Sequence, residues 1–192
     1  MSTTTAELER TVARSNGTPA LAEFLAAVRF EDLPQAVVSR TEEAFLDWFG
    51  CALAGRGASP VRILEGFAER MGPECGPSEI LVSRRRTSPF FAALVNGAAS
   101  HIAEQDDVHN GAVFHPATVV FPAVFAAAQE IHASGREFIT AAVAGYDAAI
   151  RAGEFLGPAH YKVFHTTGTA GMLGAGPSAV RQIHSTAMSK PR

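Results

Sequence analysis

Three long segments, residues 90–102, 117–133 and 136–156, are so rich in alanine and other apolar residues that they leave no polar face. A helix apolar nearly all round has to be buried between other helices, because a solvated surface would leave much of that apolar area in water. No segment carries the every-second-residue alternation of a half-buried strand ladder. The pattern predicts an all-α, bundle-like domain. Punctuation supports it: Thr18-Pro19, Asp32 before Pro34, Ser88-Pro89 and Ser134-Gly135 each place a capping residue or proline at a helix start. Further helices are expected from Pro19 to Val28, from Pro34 to the Gly55 and Gly57 stop, and from Pro60 to Met71. Val37, Val38, Thr41, Phe45, Trp48 and Ala52 mark one buried face of the second. Residues 72–88 hold two Gly-Pro turns and at most one short strand, at 79–82. Pro122 falls in the first turn of its helix or kinks it.

The chain divides by character into a polar, flexible start (1–16), a helical body (17–175) and a tail (176–192) with no helical periodicity, expected to be disordered. With 192 residues, 47% of them hydrophobic and 18% charged, the composition is globular. A net charge of −3 leaves no footprint for nucleic acid, and Arg84-Arg85-Arg86 reads as a solvated turn. No apolar run approaches a membrane span and no signal pattern opens the chain, so a cytoplasmic location is expected. Cys51 lies in an apolar helical pattern and Cys75 in a turn, so neither suggests a disulfide framework.

Six of the seven histidines fall between 101 and 165. The densest polar cluster, Glu104, Asp106, Asp107, His109 and His115, follows directly on a buried helix. Carboxylates and imidazoles rooted in a rigid apolar helix are a common construction for acid/base chemistry, since neighbouring carboxylates raise a pKa and an imidazole beside one keeps its proton longer. A metal site built from Asp106, Asp107, His109 and His115 is the weaker alternative, because helical His pairs and Cys ligands are absent. A second polar point, 160–171, places His160, Lys162 and His165 before a Thr-Thr-Gly-Thr turn that opens a small-residue helix. The N–H groups of such a turn suit a carboxylate or a phosphate. By the same reading His101 is a core or near-site histidine, and His132 and His184 are exposed.

Three stretches resemble signature segments of the MmgE/PrpD family, whose members include 2-methylcitrate dehydratase and cis-aconitate decarboxylase. They are residues 45–55 (FLDWFGCALAG); residues 92–99 (AALVNGAA) continuing through His101 and Asp106-Asp107-Val108-His109 to His115-Pro116; and Gly157 through His160-Tyr161 to Phe164-His165 and Gly171. The resemblance covers about residues 20–175 in the family's order. It implies a helical domain, no cofactor or metal, a small polycarboxylate substrate and a possible homodimer. It further implies a site in which Asp106, His115 and His165 are catalytic while Glu104, Asp107, His109, His160 and Lys162 bind substrate. The implied activity is that of a lyase fragment like 2-methylcitrate dehydratase, inactive alone because family members continue with a second half. Epimerisation, decarboxylation or a non-catalytic helical remnant are the alternatives. A frame-shifted end is expected to explain residues 176–192.

Overall fold

The computed structural model describes residues 17–189. Residues 1–16, expected to be flexible, lie outside that range. Among the described residues are seven α-helices: α1 (Gly17–Ala27), α2 (Gln35–Ala54), α3 (Ser59–Met71), α4 (Pro89–His101), α5 (Ala117–Ile131), α6 (Gly135–Tyr161) and α7 (Thr166–Ser189). A two-stranded antiparallel ribbon, β1 (Ser78–Glu79) with β2 (Arg86–Thr87), is the extended structure of the 72–88 region. The domain is all-α, as its apolar segments require. No helix of the described residues is long and apolar enough to cross a membrane.

The two most apolar segments became neighbours. Helix α5 packs against α2, α4, α6 and α7, and buries Ala117, Val120, Phe121 and Val124 completely. Phe45 and Trp48 of α2, Phe121 of α5 and Phe138 of α6 meet there as an aromatic cluster, with Phe45 5.0 Å from Phe138 and 5.5 Å from Phe121 between ring centroids. Pro122 lies inside α5. Proline has no N–H for the fourth residue back, and the Thr118 carbonyl it leaves faces α4, where a Cβ at Gly97 would come within 3.2 Å of it. Glycine at 97 thus allows α4 and α5 to approach. Next to it, buried Asn96 accepts the Leu81 N–H and donates to the Glu79 carbonyl, both at 2.8 Å. The Asn-Gly pair of the family-like segment serves packing.

The three arginines of the ribbon are spoken for. Arg84 pairs with Glu79 at 2.7 Å, Arg85 with Glu69 at 3.2 Å, and Arg86 donates to the carbonyls of Gly76 and Pro77.

The expected irregular tail from Gly176 needs correction, because α7 runs through it to Ser189. The small residues of this helix form a seam. A Cβ at Gly171 would lie 2.7 Å from Val119, and one at Gly174 would lie 2.5 Å from the Gly145 carbonyl and 2.7 Å from Ala149. Buried Ser178 donates its hydroxyl back to the Gly174 carbonyl at 2.8 Å. Spaced three and four apart, these residues let α7 press its backbone onto α5 and α6, and that packing outweighs weak helix propensity. Helix α6 carries the opposite surprise. Gly157 adopts φ 68 and ψ 177 inside it, so the helix breaks and restarts at Pro158 for one last turn bearing His160.

Candidate active site

Helix α4 ends at His101, whose neighbour Ser100 shares a 2.9 Å hydrogen bond with Thr118 of α5. The chain then turns through Glu104, at φ 49, and folds Asp106 inward until its side chain has no exposure. The loop returns through a bridge between His109 and Phe114 to reach His115 and the start of α5. The backbone N–H of His115 donates to the Thr167 hydroxyl of α7 at 3.1 Å. That bond ties the acid–imidazole loop to the turn carrying His165, 52 positions along the chain.

Asp106 is the centre of the arrangement. Its Oδ1 and Oδ2 lie 3.2 and 3.0 Å from Nδ1 of His101, and Oδ2 lies 3.4 Å from Nδ1 of His115. The second contact lacks hydrogen-bond alignment, and His115 Nδ1 is buried with no other partner. The His101 ring centroid is 4.8 Å from that of His115 and 6.2 Å from that of His165. The structure therefore brings Asp106, His115 and His165 together around His101. A buried carboxylate ringed by imidazoles is equipped to hold a proton and pass it to a bound molecule.

The other predicted residues have different places. Asp107 accepts the Ala117 N–H at 2.9 Å and the Tyr146 hydroxyl at 3.0 Å, so it caps α5 and ties it to α6. Burial pushes its carboxyl above the ordinary range against the pull of those two donors, and burial with the Asp107 charge pushes the Tyr146 phenol up as well. His109 turns away from Asp106, with Nε2 3.2 Å from Glu154 of α6 and its ring edge on Phe114. His160 bonds the Thr169 hydroxyl at 2.8 Å and stacks on Phe164. Glu104 and Lys162 are exposed. His132 is exposed as expected, and the His184 side chain lies outside those described. Sequence reasoning left His101 open between a core and a near-site place, and its position at the end of an apolar helix five residues before Asp106 was the signal for the second. Nothing local marked Tyr146.

The donor atoms of His101, Asp106 and His115 lie within 4.8 Å of one another. Two ligands on one zinc ion at about 2.1 Å can be no more than about 4.2 Å apart. The Asp106–His101 and Asp106–His115 pairs, at 3.0 and 3.4 Å, fall inside that limit, so these three side chains form a group that could hold a metal ion. A cavity of about 450 Å³ between α2, α5 and α6, walled by Phe45, Phe125 and Phe138 with Glu42 and His132 in its lining, shares no residue with the cluster.

With that geometry in place, the comparison with known proteins is direct: residues 19–186 match the MmgE/PrpD N-terminal domain. The chain belongs to the MmgE/PrpD family. The match continues past Ala175 into the region expected to be out of frame, in keeping with the unbroken α7. Among relatives, the chain is 30% identical over 145 residues to the cis-aconitate decarboxylase-like protein oryM of Aspergillus oryzae, a match covering 72% of this chain and 30% of that protein. It is 28% identical over 148 residues to cis-aconitate decarboxylase of Aspergillus terreus, covering 74% of this chain and 30% of the relative. The chain thus spans about 30% of the length of the curated relatives it matches.

Proposed function

We propose that the His101–Asp106–His115–His165 cluster is the acid/base part of a lyase site for a small polycarboxylic acid. The observation that carries this reading is the fully buried Asp106 carboxylate, lying 3.0 Å from one imidazole and 3.4 Å from a second. A buried charge of this kind is costly and persists where partners compensate it. Family membership and the relatives' names support the same class of reaction. In an elimination, one imidazole takes the proton alpha to a substrate carboxylate, and the electron pair moves into that carboxylate. Its return forms the alkene as the β-hydroxyl leaves as water, protonated by a second imidazole. Decarboxylation is the second reading, favoured by the printed activity of the Aspergillus terreus relative. There the departing carbon dioxide leaves its electron pair on carbon, and an imidazolium supplies the proton. Both reactions need cationic groups beside the carboxylates to stabilise the charge that develops there.

The test is a titration of protein carrying isotope-labelled histidine with cis-aconitate and with 2-methylcitrate, using acetate as the control. Alkene absorbance and carbon dioxide release are followed in parallel. Shifts of the His101, His115 and His165 signals by the polycarboxylates but not by acetate, lost in Asp106→Asn, are the expected result. Silence of all three signals at millimolar ligand, with neither product formed, would refute the assignment.

A further inference from the structure

The turn that opens α7 carries three threonines, and the fold uses two of them. Thr167 accepts the His115 N–H at 3.1 Å. Thr169 shares a 2.8 Å bond with His160 and lies 3.4 and 3.3 Å from the His165 and Thr166 carbonyls. Thr166 is left over. It is 1% exposed, and its hydroxyl meets no hydrogen-bond partner among the described residues. We propose that the Thr166 hydroxyl and the free N–H groups at the start of α7 form the receptor for one carboxylate of a small polycarboxylic acid. The choice of ligand rests on the lyase reading above, while binding at this helix end is a property that can be read without turnover.

The helix end supplies the first part of the argument. A helix leaves its first N–H groups without partners inside it, and its aligned peptide dipoles give that end a partial positive charge. At α7 the Gly168 N–H is satisfied by the His165 carbonyl at 3.1 Å, whereas no partner for the N–H groups of Thr166 and Thr167 is found among the described residues. Two contacts set this end beside the acid/base cluster: the bond from His115 to Thr167, and the His165 ring 6.2 Å from that of His101. His165 and Gly168 are exposed, so the helix end can be reached from solvent although the hydroxyl itself is covered.

The orphaned hydroxyl is an independent observation that points to a ligand. Side chains on a helix tilt toward its N-terminus, so the hydroxyl of the first residue projects to the end that carries the free N–H groups. A buried hydroxyl without a partner costs stability, and native chains rarely keep one that serves nothing. A carboxylate presents two oxygens, matching one hydroxyl and one pair of N–H groups. A phosphate brings a third oxygen and more charge, and is commonly clamped by arginine; the arginines at 84–86 are committed at the ribbon.

The probe is tricarballylate, a tricarboxylic acid with neither hydroxyl nor double bond, titrated into nitrogen-labelled protein beside inorganic phosphate. The amide signals of Thr166 and Thr167 should move with tricarballylate. Thr166→Val removes the hydroxyl and keeps the shape, so it should weaken binding by about tenfold or more, the loss of one hydrogen bond to a charged group. The same variant should hold or raise the melting temperature, because the hydroxyl it removes is unpartnered in the free protein. Thr166→Ser should restore most of the affinity. Amides that stay still at millimolar tricarballylate, an affinity unchanged in Thr166→Val, or tighter binding of phosphate than of tricarballylate would each overturn the receptor. A lower melting temperature in Thr166→Val would assign the hydroxyl to the fold and overturn it as well. The wild-type amide signals decide the matter even where a variant does not fold. Polycarboxylate responses at the His101 and His115 rings with the two amides silent refute the receptor alone; responding amides with silent rings and no product refute the lyase reading alone.

Discussion

The adjacent carboxylates Asp106 and Asp107 have opposite duties, and replacing Asp107 separates them. Its two oxygens accept the Ala117 N–H at 2.9 Å and the Tyr146 hydroxyl at 3.0 Å. In Asp107→Ala both donors lose their acceptor in a largely buried place. A hydrogen bond to a charged group contributes about 1.5–3 kcal/mol, and the raised carboxyl shows that burial of the charge offsets part of this. The expected loss is about 2–4 kcal/mol. Asp107→Asn should differ from wild type by less than about 1 kcal/mol at pH 7, since the amide oxygen can accept from Ala117 and the amide nitrogen can donate to the Tyr146 oxygen. The pH dependence has a definite sign. The folded carboxyl titrates above its ordinary 3.8, so in the window just above 3.8 the folded state holds a proton that the unfolded state has released. This group therefore lowers stability as pH rises through that window, and Asp107→Asn abolishes its share of the slope. Urea denaturation of the three proteins at several pH values measures all of this. Equal destabilisation by Asn and Ala, or a loss below about 0.5 kcal/mol for Ala, would refute the strut assignment.

Three further outcomes follow from the packing and the caps. Gly174→Ala places a methyl 2.5 Å from the Gly145 carbonyl and should lower stability by about 1–3 kcal/mol. Gly50→Ala, with nothing within 4 Å, should be neutral or stabilising by up to about 1 kcal/mol, and thermal melts of the two variants beside wild type check both. Ser134 and Glu137 form a capping box at the start of α6, and the Ser134 N–H and hydroxyl hold the Glu137 carboxyl below its ordinary range. Ser134→Ala should cost about 1 kcal/mol above pH 5. The Glu137 part of that difference should fade as pH drops below the ordinary 4.5 and through the lower folded value, and a difference that stays constant down to low pH would refute the carboxylate's role.

Local pattern carried the class of the fold, most helix boundaries and the loop where acids and imidazoles concentrate. These are properties of neighbours within a turn or two, where proline, capping hydroxyls and apolar spacing act directly. The loop at 104–116 and the turn at 165 were legible as polar interruptions in an apolar chain. The division of labour inside them was not, because it depends on atoms far apart in sequence. Asp107 is committed by Tyr146, 39 positions on, and the loop is joined to α7 across 52. The glycines of α7 read only as part of a small-residue helix until Gly145, Ala149 and Val119 supply the surfaces they fit. His101 read as either core or near-site until the chain turned back and set Asp106 beside it. Propensity and periodicity describe what a segment can become alone; which of two identical carboxylates caps a helix and which meets the imidazoles is decided by what the fold packs against each.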